Sequence, residues 1–374
     1  MGDKTVIAFA GNAIFRERMD GISRYAYNAL DALARRNPNW QFLVVGFFEH
    51  REFEDRLPVH DNVKAVFIPA KRRAYELRSL LRTAPIDKWL PAKIDFYVIP
   101  ELYALPSVKA GKKILVVHDL VFKDVPETST WKNNLYLRLS AAATIRKADA
   151  VAFVSRFTQK RAEACYGEAL SSKAILFAPC GVDNRFFQAV SSGDKERIRE
   201  KYKLPRNFLL AVGTLEPRKN LDYLFRAFLA LSEEQRAAKP LVLTGRPGWG
   251  NISVPEDARI QFAGYIEDED LPRLYHLADA LVFPSKYEGF GLPPLEAMAA
   301  EIPVIATDIL PVREFAGDTI QYVPLDDIPA FARVLSGPLD SSAAAQGRVR
   351  AKELDWDNTV REIEKYIREA SEHL

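Results

Sequence analysis

Two glutamates and two glycines are concentrated between Pro284 and Glu296 of this 374-residue chain. Glu288 and Glu296 flank a row of backbone N–H groups, from Gly289 to Leu292, directly before a segment with the composition of a helix. The positive end of a helix binds anions, and glycine lets a ligand approach the backbone closely. An anion cradle between carboxylates predicts a ligand that carries both phosphate and hydroxyl groups, such as a sugar nucleotide.

A pair of cations, Arg218 and Lys219, lies in a second loop, before the helix predicted at 221–231. Asn220 is the predicted N-cap of that helix. Cations directly before a helix N-terminus oppose the helix dipole, so their placement is unfavourable unless an anion is bound between them. Two solvated loop charges would be the simpler explanation, but the anion cradle at 289–292 favours a diphosphate clamp.

His118 and Gly21 are weaker candidates in the first half of the chain. His118 follows the strand predicted at 114–117, at the strand end where α/β folds bind ligands, and its imidazole could hydrogen-bond a sugar. A histidine satisfied at the edge of the core is the alternative. Gly21 opens the first predicted helix, where bare backbone could approach a phosphate, but one glycine is not the G-x-G-x-x-G dinucleotide fingerprint.

Two D-x-D patterns resemble a motif that binds divalent metals in some enzymes, Asp268-Glu269-Asp270 and Asp355-Trp356-Asp357. The first is better explained as acidic residues at the first turn of a helix. The second lies outside both predicted sheets. Neither Cys165 nor Cys180 has a metal-like spacing. We therefore predict no metal cofactor.

Short apolar runs, such as those at 96–99, 260–262 and 280–283, alternate with helical patterns in both halves of the chain. This alternation predicts an α/β fold with two doubly wound, Rossmann-like parallel sheets. The ligand site is expected in a cleft at the carboxyl ends of the strands. We predict an acceptor-binding domain at 1–183, a linker at 184–206 and a nucleotide-sugar-binding domain at 207–350. The last segment, 351–374, is predicted to be a helix that packs back toward the first domain.

Charge is distributed unevenly between the two halves. Residues 1–183 contain 28 Lys and Arg against 20 Asp and Glu, whereas residues 184–374 contain 24 against 30. The difference in sign supports two functional modules, and any anionic surface partner is expected to bind the first half. Nucleic acid is not expected, because the basic residues lack the aromatic pattern of single-strand binders.

A basic amphipathic segment, Lys71 to Arg82, is followed by Trp89. Residues 71–93 could lie on an anionic membrane surface, although a solvated helix face explains them equally well. No apolar run approaches the roughly 20 residues that span a bilayer, and the N-terminus lacks a signal-peptide profile. We expect a cytoplasmic location, with peripheral attachment to the inner face of the cytoplasmic membrane as an open alternative.

The chain resembles the retaining glycosyltransferases of family 4, which have the GT-B fold of two Rossmann-like domains. The resemblance covers essentially the whole length and is strongest from 208 to 314. Glu288 and Glu296, with seven residues between them, look like the paired glutamates of that family. The resemblance implies that Glu296 binds the ribose hydroxyls and that Glu288 lies near the donor sugar.

The same resemblance implies roles for the other candidates. Arg218 and Lys219 would bind the diphosphate, His118 would contact the donor sugar, and Gly21 matches the family's N-terminal glycine loop. The remaining donor-binding positions are Gly213 and Thr214, the turn Gly264-Tyr265-Ile266 that would meet the base, and the backbone of Gly289, Phe290, Gly291 and Leu292.

The run from Gly213 to Leu221 is similar to that of bacterial mannosyltransferases of O-antigen and exopolysaccharide assembly. The resemblance implies transfer of a hexosyl group, with GDP-mannose favoured over UDP-sugars, to a saccharide or lipid-linked saccharide hydroxyl. One departure concerns the acceptor-side loop, where this chain has Asp20 and Ser23 at positions that are often glycine in the family.

The mechanism is expected to follow from charge, since cleavage of the anomeric bond makes the diphosphate more negative. The two cations and the helix N-termini would stabilise it without a metal. The family resemblance implies attack from the leaving-group face, with a diphosphate oxygen accepting the proton. A UDP-sugar transferase or a sugar-nucleotide epimerase stays open as an alternative, and a nicotinamide dehydrogenase is disfavoured. The catalytic candidates are His118, Glu288, Arg218 and Lys219.

Overall fold

The computed structural model describes residues 4–17, 19–72, 75, 85–102, 108–109, 111–250 and 252–372. The strands in this part of the chain form two parallel sheets, one of seven strands and one of six. Parallel sheets are covered on both faces, which is why their strands are rich in valine, leucine, isoleucine and phenylalanine. Two doubly wound α/β units are present, which confirms the predicted fold class.

The first sheet has the strand order β3-β2-β1-β4-β5-β6-β7. Its strands are β1 (Val6–Ala10), β2 (Gln41–Phe47), β3 (Val63–Ile68), β4 (Phe96–Ile99), β5 (Lys112–Val117), β6 (Ala150–Phe153) and β7 (Ala174–Phe177). Every side chain of β4 and β6 is buried, so the core of this unit lies around the centre of the sheet.

In the part of the chain that the structure describes, these strands alternate with the helices α1 (Gly21–Arg36), α2 (Val121–Asp124), α3 (Trp131–Lys147) and α4 (Arg156–Leu170). Helix α1 begins where the Asp20 side chain accepts a hydrogen bond from the backbone N–H of Ser23. Its last turn carries Arg35 and Arg36, which suit the negative end of a helix. The two ends of α1 are therefore specified by local sequence.

The second sheet has the order β10-β9-β8-β11-β12-β13. Its strands are β8 (Leu209–Val212), β9 (Leu241–Thr244), β10 (Ile260–Phe262), β11 (Ala280–Phe283), β12 (Val304–Thr307) and β13 (Gln321–Val323). The strand order reverses between β8 and β11, and ligands of open α/β sheets bind at such switch points.

The remaining helices are α5 (Ser192–Tyr202), α6 (Leu221–Leu229), α7 (Glu233–Ala238), α8 (Leu271–Tyr275), α9 (Leu292–Ala299), α10 (Leu310–Ala316), α11 (Ile328–Ser336), α12 (Ser341–Ala351) and α13 (Trp356–Ser371). Short 3-10 turns lie at Gly11–Ala13, Phe48–Arg56, Asp87–Trp89, Pro126–Thr128, Asn184–Phe187 and Pro217–Lys219. Within the described ranges, no helix is both long enough and apolar enough to cross a bilayer.

The chain divides into two compact units. The first comprises Met1–Lys123, Lys132–Gly181 and Trp356–Leu374, and the second comprises Asp124–Trp131 and Val182–Asp355. Helix α13 therefore belongs to the first unit, where Arg36 of α1 donates to the Glu364 carboxylate at 2.8 Å.

The segment predicted as a linker, 184–206, lies inside the second unit and contains α5. Lys201 of α5 donates to the Asp270 carboxylate at 2.6 Å, and this ion pair holds α5 against the start of α8. The segment 124–131 also belongs to the second unit. Tyr287 donates to the Asp124 carboxylate at 3.0 Å, and the Trp249 indole donates to the Thr128 carbonyl at 2.9 Å.

The basic segment predicted to contact a membrane falls mostly outside the described residues, since 73–74 and 76–84 are not among them. Trp89, which follows this segment, is half-buried and packs against the core of the first unit. Its ring lies 5.7 Å from the ring of Tyr75.

Candidate functional site

Four charged side chains form a cluster in the loops that follow β8 and β11. These strands are parallel neighbours, so the loops at their carboxyl ends lie side by side. Arg218 Nη1 donates to Glu288 Oε2 at 2.6 Å, and Lys219 Nζ donates to Glu288 Oε1 at 2.7 Å. Arg218 Nε also lies 2.5 Å from Glu216 Oε1. The structure brings together Arg218, Lys219 and Glu288, as predicted, and adds Glu216.

Burial and charge oppose each other in this cluster. Glu288 is 7% exposed, and burial by itself would raise the pKa of its carboxyl group. The positive charges of Arg218 and Lys219 outweigh that effect and lower the pKa of Glu288 to about 2. Burial lowers the pKa of Lys219, while the Glu288 charge acts to raise it. Glu288 is therefore a carboxylate at any pH near neutrality.

The two cations are neutralised by the chain itself. An anion was predicted between Arg218 and Lys219, and two carboxylates of the protein, Glu216 and Glu288, pair with these cations instead. The positions of the cations do not by themselves require a ligand. Asn220 also differs from its prediction as a side-chain cap, because its backbone is left-handed (φ 54°) and its side chain makes no capping hydrogen bond.

The loop predicted to bind an anion, 289–292, lies at the start of a helix. Helix α9 begins at Leu292, with Gly291 at its N-cap position and proline in its first turn. Gly291 has φ 118°, a conformation that favours glycine, and a Cβ there would lie 3.1 Å from Val312. Phe290 stacks on Phe315 with 4.7 Å between ring centroids, which holds the loop against α10.

Glu296 lies one turn into α9 and is buried. Its Oε2 accepts a hydrogen bond from the Tyr275 hydroxyl at 2.7 Å. Tyr275 is fully buried and was not among the predicted site residues. No local signal marks it, because it ends a short helix, α8, with the composition of an ordinary buried segment.

Backbone hydrogen bonds join the carboxyl ends of β8, β9 and β10 and the loops that follow them. The N–H of Gly213 donates to the Thr244 carbonyl, and the N–H of Gly245 donates to the Gly264 carbonyl, both at 2.9 Å. Gly245 has φ 143°, and a Cβ there would lie 1.9 Å from the Gly213 carbonyl oxygen. Glycine is required at 245 for this close approach, and the cluster of glycines at 245–250 was a signal that the sequence analysis missed.

A pocket lies among the ends of β8, β9 and β11. Its lining includes the predicted residues Gly213, Thr214 and Lys219, together with Thr244 and Ser285. The aliphatic end of Lys219 lies close to Gly213, since a Cβ on this glycine would be 3.3 Å from Lys219 Cε. These contacts bring Gly213 and Thr214 into the same site as the charged cluster.

The turn predicted to meet a nucleotide base follows β10. Ile266 is buried and Tyr265 is half-buried, and both belong to the second unit. The first D-x-D pattern follows directly, and its Asp270 accepts hydrogen bonds from Lys201 at 2.6 Å and from the Tyr202 hydroxyl at 2.9 Å. Its carboxylate therefore binds α5 instead of capping α8, for which it makes no side-chain hydrogen bond.

His118 and Gly21 both lie in the first unit. His118 Nε2 donates to the Pro100 carbonyl at 2.8 Å, and the ring meets the edge of Tyr25 at 4.7 Å. Burial lowers the pKa of His118, although the Pro100 hydrogen bond and nearby carboxylates act against it. A neutral ring that donates from Nε2 has an acceptor at Nδ1.

The two departures from the family pattern, Asp20 and Ser23, form the N-cap before Gly21. Asp20 Oδ1 accepts from the Ser23 N–H at 2.9 Å and from its hydroxyl at 3.0 Å. Arg16 links Asp20 to the buried carboxylate of Glu101, at 2.7 and 2.8 Å. Sequence reasoning missed Arg16 and Glu101, which lie 85 residues apart in the chain.

Known proteins resemble this chain in both halves. Residues 19–186 match the family model described as Glycosyltransferase Family 4, and residues 194–326 match Glycosyl transferases group 1. The O-antigen chain mannosyltransferase B of Escherichia coli is 30% identical over 281 residues, which cover 71% of this chain and 72% of that protein. The chain belongs to glycosyltransferase family 4.

Two further similarities extend this assignment. The serotype-specific mannosyltransferase WbdA of Escherichia coli is 29% identical over 267 residues, 67% of this chain but only 32% of WbdA. The solved sucrose-phosphate synthase of Thermosynechococcus elongatus has a TM-score of 0.72 at 19% identity, with 100% of both chains covered. The structural similarity confirms the predicted GT-B fold for this glycosyltransferase.

Proposed function

We propose that this family 4 glycosyltransferase moves a mannosyl group from GDP-mannose to a hydroxyl of a saccharide or lipid-linked saccharide in surface polysaccharide synthesis. The observation that carries this proposal is the Arg218–Lys219–Glu288 cluster beside the N-terminus of α9. The names of two relatives, both mannosyltransferases, support the choice of sugar.

The donor is proposed to lie across the loops after β8 and β11. Arg218 and Lys219 would bind the diphosphate, with the backbone from Gly289 to Leu292 completing the anion site. A guanidinium carries five N–H donors and an ammonium three, so both cations can bind phosphate while they keep their carboxylate partners.

The nucleoside of the donor is proposed to bind next to Glu296 of α9 and the turn that follows β10. Glu296 would accept hydrogen bonds from the ribose hydroxyls, with Tyr275 fixing its carboxylate, and the turn at Tyr265 and Ile266 would meet the base. His118 is proposed to accept a hydrogen bond from the donor sugar at Nδ1, and Gly21 to approach the substrate with its backbone.

Transfer is proposed to proceed with retention of configuration. As the anomeric C–O bond breaks, positive charge grows on the sugar and negative charge grows on the diphosphate. Arg218, Lys219 and the N-terminus of α9 would stabilise the leaving group without a metal. The acceptor oxygen would form its bond on the leaving-group face, and its proton would pass to a diphosphate oxygen.

A thermal-shift panel of GDP-mannose, UDP-glucose and ADP-glucose tests the donor, because a ligand that binds only the native state raises the melting temperature. We expect the largest shift with GDP-mannose, and a larger shift with a UDP-sugar would favour the alternative donor. Donor turnover without any acceptor product would favour an epimerase.

Two further tests address the mechanism. The one-bond C–H coupling at the anomeric carbon of the product reports retention or inversion. Activity should persist in EDTA after extensive dialysis, and loss of transfer that Mg²⁺ or Mn²⁺ restores would refute the metal-free mechanism. The location proposed for this enzyme is cytoplasmic, with peripheral membrane attachment through residues 71–93 as the open alternative.

A further inference from the structure

A short segment of the second unit, residues 124–131, contacts two of the loops that form the candidate site. This segment is called here the strap. Its backbone folds onto itself, since the hydroxyl and the N–H of Thr128 donate to the Val125 carbonyl at 2.7 and 3.0 Å. Pro126 opens the 3-10 turn between these two residues, and Thr128 is buried. The strap therefore has a defined local structure of its own.

The first contact of the strap is with the loop that follows β11. The hydroxyl of the buried Tyr287 donates to Asp124 Oδ2 at 3.0 Å. An ionised carboxylate is a stronger acceptor than a neutral oxygen, so this hydrogen bond holds the tyrosine firmly. The next residue is Glu288, whose carboxylate pairs with Arg218 and Lys219. Asp124 therefore fixes the residue that directly precedes the carboxylate of the charged cluster.

The second contact of the strap is with the loop that follows β9. The Trp249 indole N–H donates to the Thr128 carbonyl at 2.9 Å. The residue after it, Gly250, lies directly on Pro217, because a Cβ on this glycine would be 2.4 Å from the proline Cγ. Pro217 is the first residue of the 3-10 turn that carries the two cations of the cluster. The strap therefore reaches the cations through one intervening loop.

The turn with the cations and the loop with the carboxylate are also joined directly. The backbone N–H of Lys286 donates to the Arg218 carbonyl at 2.8 Å. The contacts thus form a closed ring, which runs from Asp124 through the loop after β11, the turn at 217–219 and the loop after β9 back to Thr128. Loops at a sheet edge are the more mobile part of a fold. A closed ring of contacts restricts the separate motion of its members.

We propose that the strap is a positioning element of the transferase site, in which Asp124 acts through Tyr287 and Thr128 acts through Trp249. This inference rests on the proposed function, since it assumes that the charged cluster stabilises the transition state of transfer. Such stabilisation requires charged groups that are already held in place when the bond breaks. A displacement of about 1 Å can lower the rate by about a hundredfold. The ring keeps the Glu288 carboxylate and the two cations at a fixed spacing.

Substitutions at the Asp124–Tyr287 contact test the proposal kinetically, with GDP-mannose as donor and a water-soluble mannose oligosaccharide as acceptor. Tyr287→Phe and Asp124→Ala should each lower kcat by about tenfold, while the GDP dissociation constant in calorimetry changes by less than about threefold, because GDP lacks the sugar that Glu288 faces. The double variant should be no slower than the slower single variant, since both substitutions remove the same contact. Asp124→Asn should recover most of the rate, because its amide oxygen still accepts a hydrogen bond.

Hydrogen exchange of the full chain, followed by mass spectrometry, tests the ring without the reaction. Backbone amides at 245–250 and 285–292 should exchange faster in Tyr287→Phe than in the wild type. Tyr322→Phe is the matched control, because the Tyr322 hydroxyl donates to the Gly317 carbonyl at 2.7 Å elsewhere in the second unit. This variant should match the wild type in kcat and in the exchange of both loops. Melting temperatures check that every variant is folded at the assay temperature.

Two results would overturn the proposal. Folded Tyr287→Phe and Asp124→Ala enzymes that transfer at the wild-type rate would show that the strap contributes at most to stability, whatever their melting temperatures. A double variant whose loss of rate is the product of the two single losses would show that the two residues act separately.

Failure of the proposed function gives a different pattern. Faster exchange of both loops in Tyr287→Phe, together with no transfer by the wild type, would refute the proposed reaction and support the ring of contacts. Unchanged exchange and unchanged kcat in the variants of an active wild-type enzyme would refute the strap and leave the proposed reaction intact.

Discussion

Replacement of Glu288 by glutamine tests the charged cluster most directly. The substitution keeps the size of the side chain and removes its charge, while Lys219 remains 12% exposed in the same position. The two hydrogen bonds at 2.6 and 2.7 Å would lose their ionised acceptor. We expect both the stability of the folded protein and the rate of transfer to fall.

The loss of stability can be calculated from the Glu288 pKa. The pKa falls from 4.5 to about 2 in the folded protein, and each unit is equivalent to about 1.4 kcal/mol. Glu288 then contributes about 3 kcal/mol at neutral pH, since the unfolded chain binds the proton more tightly. A depressed carboxyl pKa stabilises the fold above pH 4.5 and loses its effect as the pH falls toward 2.

Chemical unfolding of the wild type and Glu288→Gln at pH 7 and near pH 3.5 measures this contribution. The variant should be less stable by about 3 kcal/mol at pH 7, and the difference should be smaller by about 1 kcal/mol near pH 3.5. Single-turnover transfer, measured far below the unfolding temperature, should be slower by about a hundredfold or more because the two cations lose their alignment.

Glu364→Gln is a matched control in the first unit. Glu364 is also a buried carboxylate, bonded to Arg36 and Arg368 at 2.8 Å each, and nearby arginines lower its pKa although burial opposes them. This variant should lose stability but transfer at the wild-type rate. Wild-type transfer by a folded Glu288→Gln enzyme, or identical pH dependence of its stability, would refute the reasoning about the cluster.

Three other substitutions test separate parts of the site. Lys219→Ala should lower transfer by about a thousandfold with the fold retained. Lys201→Ala, which loses the ion pair to Asp270 outside the cluster, should transfer normally, and equal activities of the two variants would contradict a role for Lys219 in the site. Glu296→Gln should raise the donor KM more than it lowers kcat, as initial-rate kinetics will report, and an unchanged KM would contradict the ribose assignment. Gly245→Ala should weaken GDP binding in calorimetry because its Cβ would lie 1.9 Å from a backbone oxygen, whereas Gly193→Ala, with nothing within 4 Å, should bind normally.

The strands were predictable because the information for a buried parallel strand is local. The runs at 96–99, 260–262 and 280–283 are apolar and bounded by turn residues, and the structure has strands with those bounds. The loops after β8 and β11 were predictable for a related reason. Glycines, prolines and charged residues directly after such strands predict a ligand site at a sheet edge.

The contacts inside the site were not predictable in the same way. Tyr275 meets Glu296 only because two helices that are separate in the sequence pack side by side. The contact between Glu216 and Arg218 is local, but nothing in the residue pattern indicated that this carboxylate would turn back onto the guanidinium. The left-handed backbone of Asn220 lies at the end of the 3-10 turn Pro217–Lys219, which the sequence did not predict. Local residue preferences favoured an ordinary N-cap at this position.

The charge balance of the cluster has a consequence for catalysis on the proposed mechanism. Two cations beside two carboxylates carry no net charge, so they attract a resting diphosphate less strongly than an unpaired Arg218–Lys219 pair would. An enzyme gains rate from interactions that strengthen in the transition state, and charge separates there, with the sugar positive and the diphosphate negative. The Glu288 carboxylate can face the positive sugar, while Arg218 and Lys219 face the negative diphosphate. Glu288→Gln should therefore bind GDP more tightly than the wild type while it transfers more slowly.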